Sequence, residues 1–307
     1  MKIHFIGIGG TGMNGVAQLA AHAGHTVTGS DRADSTELFQ TLENLGIKIC
    51  SQDGSGITPE TDWVVFSTAI EENNPDILRA RELGIPLLHR AEMLARLCNG
   101  KEVIAVAGTA GKSTVSGLLG WIFQCLEKDP TVYCGAPVLN WKNTVAAASL
   151  PLNTEAGSLC HTIGNIRFGT GPWIIEADES DKSFLHFHPS HAIITNIAED
   201  HFELKELYDL FEKFEDQVSG TVIQPSPPRR SGTPPGREFI SSSDSPPMEG
   251  WPKAGVGSLL VGKHNTENIH TALKLCQTLG LDMDKCIDAV HTFKGIERRL
   301  ERHGDRV

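Results

Sequence analysis

The chain lacks any apolar run approaching the roughly 18 residues that cross a bilayer, and it lacks an excess of basic charge. Its 27 Lys and Arg against 38 Asp and Glu leave a formal net charge of −11. That balance argues against a nucleic-acid or anionic-membrane surface and suits small ligands recognised locally. Seven cysteines (50, 98, 125, 134, 160, 276 and 286) form no Cys-x-x-Cys pair and are odd in number. Neither a zinc site nor a disulfide framework is expected, and a cytoplasmic protein is. Met1-Lys2-Ile3-His4-Phe5-Ile6-Gly7 runs straight into a strand and a glycine turn, so no signal peptide is read there. With 39% hydrophobic and 21% charged residues among 307, the composition is that of a folded chain long enough for two domains.

What stands out is a loop. Gly108-Thr109-Ala110-Gly111-Lys112-Ser113-Thr114 lies between an apolar run, Val103 to Ala107, and a helical pattern, Val115 to Leu126. Strand, glycine turn and helix in that order place backbone N–H groups and a helix N-terminus around a phosphate. Lys112 can reach outer phosphates and the Ser113 hydroxyl can ligate Mg²⁺. The strict motif needs Gly at position 106, where Val stands, so the match is partial.

A second glycine turn opens the chain. Gly7, Gly9 and Gly12, with Gly10 and Thr11 between them, give Gly-x-Gly-x-x-Gly after the strand Ile3–Ile8 and before a helix, Met13–Ala23. Glycines there admit a diphosphate close to the backbone, and Asp31 at the end of a second strand (His25–Gly29) stands where an acidic residue meets a ribose. Alone, this constellation fits a nicotinamide-dependent oxidoreductase as well; the loop at 108–113 tilts the reading away from one.

Further elements alternate: helix Thr36–Leu45, strand Trp63–Ser67, helix Asp76–Leu83, strand Ile85–Leu88, then strands Trp173–Glu176 and His191–Thr195 and helices Glu206–Val218, Thr266–Leu279 and Met283–Thr292. Such alternation predicts parallel sheets with helices on both faces. Residues 224–252 hold eight of the sixteen prolines and read as a disordered or irregular insert.

Taken in chain order, six motifs resemble the Mur ligase family, which builds the peptide stem of peptidoglycan. They are Ile6–Met13, Gly108–Thr114, Glu176-Ala177-Asp178-Glu179-Ser180-Asp181, Thr195-Asn196-Ile197 with Asp200-His201, Gly262-Lys263-His264-Asn265-Thr266-Glu267-Asn268, and Arg298-Arg299-Leu300-Glu301. The likeness is greatest to members that load UDP-N-acetylmuramate with L-alanine or with a tripeptide. It implies an α/β fold: a Rossmann-like, UDP-sugar-binding domain over 1–97, then a P-loop-type ATP-binding central domain over 98–300, with 301–307 opening a linker. It also implies the chemistry. ATP phosphorylates the muramate carboxylate, and an amine displaces phosphate from the acyl phosphate.

Residue by residue, the resemblance assigns UDP-sugar contacts to the first turn, Asp31, Ser67, Thr68 and Ala69. ATP contacts fall to the 108–114 loop, to Asn265 and Asn268 at the adenine with His264 near the ring, and to Arg299 at the phosphates. Lys112, Glu176 and His201 are the expected catalytic residues. Ser113 and Glu176 would hold Mg²⁺, and His201 a second metal; Asp178, Glu179 and Asp181 are open between ligands and helix-terminal charges. The expected partners are UDP-N-acetylmuramate, ATP and an amino acid or peptide, without nucleic acid or membrane insertion.

Three departures stand out. Ala110 occupies a place where the family usually has His. Lys182 stands where a small residue is more usual and adds a cation near the phosphates. The family's third, acceptor-binding domain is not in this sequence, so a truncated ligase, or a remnant that binds both nucleotides without turnover, is the alternative expectation.

Overall fold

A computed structural model describes residues 1–33, 36–141, 162–163, 165–180, 182–198, 203–224, 238–241 and 263–297. The first unit is a wholly parallel sheet. Its central strand β1 (Lys2–Ile6) is flanked by β2 (Thr26–Asp31) and, further along the chain, β4 (Trp63–Phe66); β3 (Lys48–Ser51) and β5 (Leu87–His89) are the edges. Phe5 pairs in register with Gly29 on one side and Val65 on the other. Helices α1 (Thr11–His22), α2 (Thr36–Asn44), α3 (Pro75–Glu82) and α4 (Arg90–Cys98) accompany the strands. A sheet covered on both faces needs apolar strands, and Ile3, Phe5, Ile6, Val64 and Val65 are all buried.

The second unit repeats the plan around β6 (Val103–Ala107), flanked by β10 (Trp173–Glu176) and β11 (His191–Ile194). Beyond β10 come β7 (Thr131–Tyr133), β9 (Ile166–Arg167) and β8 (Thr162–Ile163), the last two antiparallel. Beyond β11 come β12 (Thr221–Gln224) and β13 (Glu238–Ser241), both parallel. Helix α5 (Lys112–Cys125) follows β6, and α6 (Leu204–Asp216), α7 (Lys263–Thr278) and α8 (Met283–Thr292) follow later. Leu118, Ile122 and Phe123 of α5 pack against Ile269 and Leu273 of α7 and Val290 of α8. In both sheets the chain reverses its winding at the central strand, so the loops after β1 and β6 open where doubly wound sheets take ligands.

Those two loops do not stand apart. Met13 and Val16 of α1, Leu94 and Leu97 of α4, and Tyr133, Ile166 and Phe168 of the second unit belong to one continuous core. His22 stacks on Phe168 with ring centroids 4.5 Å apart.

Several boundaries differ from expectation. Helix α5 starts at Lys112, three residues early, because Gly111 caps it in the left-handed region at φ 86°. Helix α4 was not expected at all; its start is fixed by Glu92, whose carboxylate accepts from the His89 N–H at 3.0 Å, a capping contact whose His lacks the usual hydroxyl signature. The wholly irregular reading of 224–252 is corrected by β12, which ends at Gln224, and by β13 within the stretch. Prolines at 234–235 and 246–247 flank Glu238-Phe239-Ile240-Ser241 rather than interrupt it, and an edge position tolerates such neighbours. The rest of that stretch lies outside the described residues.

A buried clasp sets the register of β7. The guanidinium of Arg167, nearly fully buried, donates to Asp129 at 2.9 Å and to the Pro130 carbonyl, while Thr170 donates to Asp129 from its N–H (2.8 Å) and its hydroxyl (2.9 Å). Burial works to raise the Asp129 pKa, but the Thr170 and Arg167 contacts prevail and hold it below the usual carboxylate range. A depressed folded pKa stabilises above the unfolded value, and that contribution disappears as pH falls through the folded one. Asp129→Asn is expected to cost about 1–3 kcal/mol at neutral pH, since it weakens the partner of a buried cation. In denaturant unfolding the gap to wild type should narrow below about pH 4; a gap independent of pH removes the ion pair from the clasp.

Candidate functional site

The loop after β6 is held from behind. Thr109 N–H donates to the Asn196 carbonyl at 3.1 Å and Ala110 N–H to the Asn196 side chain at 2.8 Å. The Thr195 hydroxyl donates to the Ala110 carbonyl at 2.5 Å, and Ala198 N–H to the Thr109 hydroxyl at 3.1 Å. Gly108 lies at φ 126°, and a Cβ there would fall 2.2 Å from the Thr195 hydroxyl. The chain can make this passage only as glycine. Beyond it, the first-turn N–H groups of α5 have no carbonyl four residues back within the helix, and such a terminus attracts anions.

Two carboxylates face this terminus. Glu176, at the end of β10, accepts from the Ser113 hydroxyl at 3.0 Å through Oε1 and from Gly135 N–H at 2.6 Å through Oε2. Burial pushes its pKa up, opposed by the Gly135 and Ser113 hydrogen bonds and by Lys112. Lys112 bends back along its own loop, donating to the Gly108 carbonyl at 2.8 Å and to Glu179 at 2.6 Å, with Asp178 at 3.8 Å. Glu179 is only 3% exposed. Its loop is pinned through a short 3₁₀ turn, Ser183–His186, whose Phe184 packs on Phe211 and Phe214 of α6.

The first glycine turn is braced in the same manner. Gly7 and Ile8 N–H both donate to the Ser30 carbonyl, at 2.8 and 3.0 Å, and Gly9 N–H donates to Asp31 at 2.7 Å. Asp31 also accepts from Ala33 N–H at 2.9 Å. Its carboxylate thus organises the turn that it borders.

The first glycine turn opens into a cleft of about 1460 Å³ that reaches the start of α5. Gly7, Gly9, Gly10, Thr11, Gly12, Asp31, Ser67 and Ala69 line one end, and Ser113, Glu176 and Asp178 line the other. Of the second loop only Ser113 reaches the lining; Gly108, Thr109, Ala110, Gly111, Lys112 and Thr114 are not among the lining residues. Thr68 is not among the lining residues. Asn268 reaches the loop from α7, its amide oxygen 2.6 Å from where a Cβ on Gly111 would lie, and its nitrogen is 3.4 Å from the Asn265 oxygen. His264 is displayed in solvent with its side chain 97% exposed, 3.8 Å from Glu267. Nor does Lys182 add a cation to the cleft: it pairs with Glu206 of α6 at 2.9 Å. His201, Asp181 and Arg299 lie outside the described residues.

Sequence reading passed over four contributors. Asn196 stood in a quoted motif without a role, although an Asn after an apolar strand is a ready partner for loop amides. Tyr133 ends, and Gly135 follows, a strand too short to be seen by periodicity. Arg90 lay at the end of what was read as the first domain. Among the described residues, no three or more His, Cys, Asp or Glu side chains converge as a metal site, and no helix is long and apolar enough to cross a membrane.

Fold and site together define a two-unit α/β protein with a glycine-rich anion cradle on each unit and a common cleft between them. A model described as the Mur ligase family, catalytic domain, matches residues 2–102. The UDP-N-acetylmuramate–L-alanine ligase of Nitratidesulfovibrio vulgaris is 32% identical over 333 residues, covering 99% of this chain and 68% of that protein. That of Rubrobacter xylanophilus is 33% identical, covering 100% and 69%. Among solved structures, UDP-N-acetylmuramate–alanine ligase MurC from Thermotoga maritima matches with a TM-score of 0.74 at 26% identity, over 97% of this chain and 70% of that one. A murein peptide ligase from Psychrobacter arcticus gives 0.76 at 26%, over 99% and 71%. The chain belongs to the Mur ligase family.

Gly108→Ala should destabilise the protein by about 2–4 kcal/mol, combining a left-handed strain with overpacking against Thr195. It should also abolish stabilisation by added nucleotide triphosphate in a thermal-shift assay. Full nucleotide response in that variant would remove the loop geometry from binding.

Proposed function

We propose that this chain is an ATP-dependent ligase that joins an amino acid to the carboxylate of UDP-N-acetylmuramate through an acyl phosphate. One observation carries the reading: the first glycine turn shares a single cleft with Ser113, Glu176 and Asp178, so a sugar nucleotide at Gly9–Gly12 and a triphosphate reaching Ser113 from the Gly108–Thr114 loop would meet end to end. A carboxylate oxygen of the sugar acid would attack the outer phosphorus, and ADP would depart. The incoming amine would then attack the acyl carbon, forming the amide and expelling inorganic phosphate. Catalysis of the first step is chiefly alignment and neutralisation of charge on oxygen.

The chain's own residues suit those tasks. The first-turn amides of α5 would hold the phosphates, and Lys112 would exchange Glu179 for the outer phosphate oxygens. Ser113 and Glu176 supply two hard oxygens within 3.0 Å of one another, a donor set that fits Mg²⁺ when phosphates and waters complete its shell. Mg²⁺ held there would neutralise charge on the transferring phosphoryl group. Glu176 stays aimed because Gly135 N–H holds its second oxygen. Asn268, with Asn265 behind it, borders the loop where the adenosine would extend. Ala110 contributes its amide to the Asn196 side chain, so the missing His leaves the cradle intact.

Phosphate release should require UDP-N-acetylmuramate, ATP, Mg²⁺ and an acceptor together, with alanine, other amino acids and a tripeptide as the alternatives. Lys112→Met and Glu176→Gln should each lower kcat by about 10²- to 10³-fold, as loss of a transition-state charge contact does. The chain spans about two thirds of the length of the relatives it matches, and the reading that competes with turnover is a unit that binds both nucleotides without it. Tight binding of both with no phosphate release would select it, and stabilisation by a nicotinamide dinucleotide but not by a UDP-sugar would defeat both readings.

A further inference from the structure

The two units meet beside the first glycine turn through one side-chain junction. Tyr133, buried at the end of β7, donates its hydroxyl to the Gly12 carbonyl at 3.1 Å and accepts from Arg90 Nη1 at 2.8 Å. Arg90, the first residue of α4, comes so near the turn that its Nη1 would lie 3.0 Å from a Cβ placed on Gly12. It lines the cleft together with four carboxylates, those of Asp31, Glu176, Asp178 and Glu297. Among the described residues that line the cleft it is the one cationic side chain.

We infer that Arg90 contacts the diphosphate of the bound sugar nucleotide and that Tyr133 is the positioning residue that aims it. The inference rests on the ligase reading above. A diphosphate entering a cleft bordered by four carboxylates meets repulsion that amide dipoles alone offset poorly, and a guanidinium fork matches phosphate oxygens in charge and geometry. The diphosphate is favoured over the sugar-acid carboxylate by position. Arg90 abuts Gly12, within the turn whose glycines clear space for phosphates, whereas the carboxylate must reach the Ser113–Glu176 end.

Titration calorimetry of the whole chain with UDP-N-acetylmuramate and with UDP-N-acetylglucosamine, which shares the diphosphate but lacks the lactyl carboxylate, tests this. Arg90→Ala should weaken both by the same factor, about 10- to 100-fold, as expected for a lost charged hydrogen bond, and Arg90→Lys by less. ATP affinity should move less than twofold. Tyr133→Phe should weaken both sugar nucleotides about three- to tenfold, and most of that effect should vanish in the Arg90→Ala background, where only the bond to the Gly12 carbonyl is left to lose. A loss confined to UDP-N-acetylmuramate would place Arg90 on the carboxylate and overturn the inference. So would unchanged affinity, or an equal loss of ATP binding. Failure of the unaltered chain to bind either UDP-sugar strikes the ligase reading itself.

Discussion

Three consecutive residues at the end of β7 tie the two cradles into one site. Tyr133 bonds the backbone of the first glycine turn, Cys134 donates its thiol to the Ser113 carbonyl at 3.3 Å, and Gly135 bonds Glu176. Each contact reaches a different part of the cleft: the first glycine turn, the start of α5 and the carboxylate that ends β10. A peptide strand advances only about 3.3 Å per residue, so these groups are confined within a span comparable to a diphosphate. Geometry of that kind cannot come from two domains docking loosely. It depends on the shared core of Met13, Val16, Ile166 and Phe168 beneath it, and on the Arg167–Asp129 clasp that fixes where β7 ends.

The positions of the cradles follow from the topology of parallel sheets. A strand whose neighbours wind away in opposite directions leaves a crevice at its carboxyl end. β1 and β6 are both such strands, and each is followed by a glycine turn and a helix. Apolar strands are needed for burial, glycines for the turn, and helix termini for the anion. One sequence pattern therefore serves folding and ligand capture at once, which is why both cradles could be read without coordinates. Periodicity and apolar runs also located β1, β6, β10, β11 and most helices to within a few residues.

What escaped the sequence was short or relational. β7, β9 and β12 span only two to four residues, below the length at which alternation separates strand from buried loop. β13 was hidden by the prolines around it. The role of Glu179 as the partner of Lys112 depends on a loop folding back between β10 and α6, and no spacing rule encodes that. His264 and Asn268 stand four residues apart on α7 and so share a face of it; Asn268 reaches the loop, while the His264 imidazole is exposed.

The electrostatics of the cleft explain why so many groups are doubly engaged. The chain carries a net charge of −11, and four of the cleft's lining residues are acidic, yet its proposed ligands are polyanions. Attraction must therefore be local and short-ranged: oriented amides at two helix starts, Lys112, Arg90 and a divalent cation. Before a ligand enters, each cationic or acidic group needs a partner, because a bare charge in a half-buried site is costly. Lys112 rests on Glu179, Glu176 on Ser113 and Gly135, and Arg90 on Tyr133. Substrate binding on this view is an exchange of partners rather than the filling of a vacant charge. On the proposed function, only ligands whose phosphates replace those internal bonds at both ends of the cleft would offset the cost of breaking them, so the resting contacts themselves would select a sugar nucleotide plus a triphosphate.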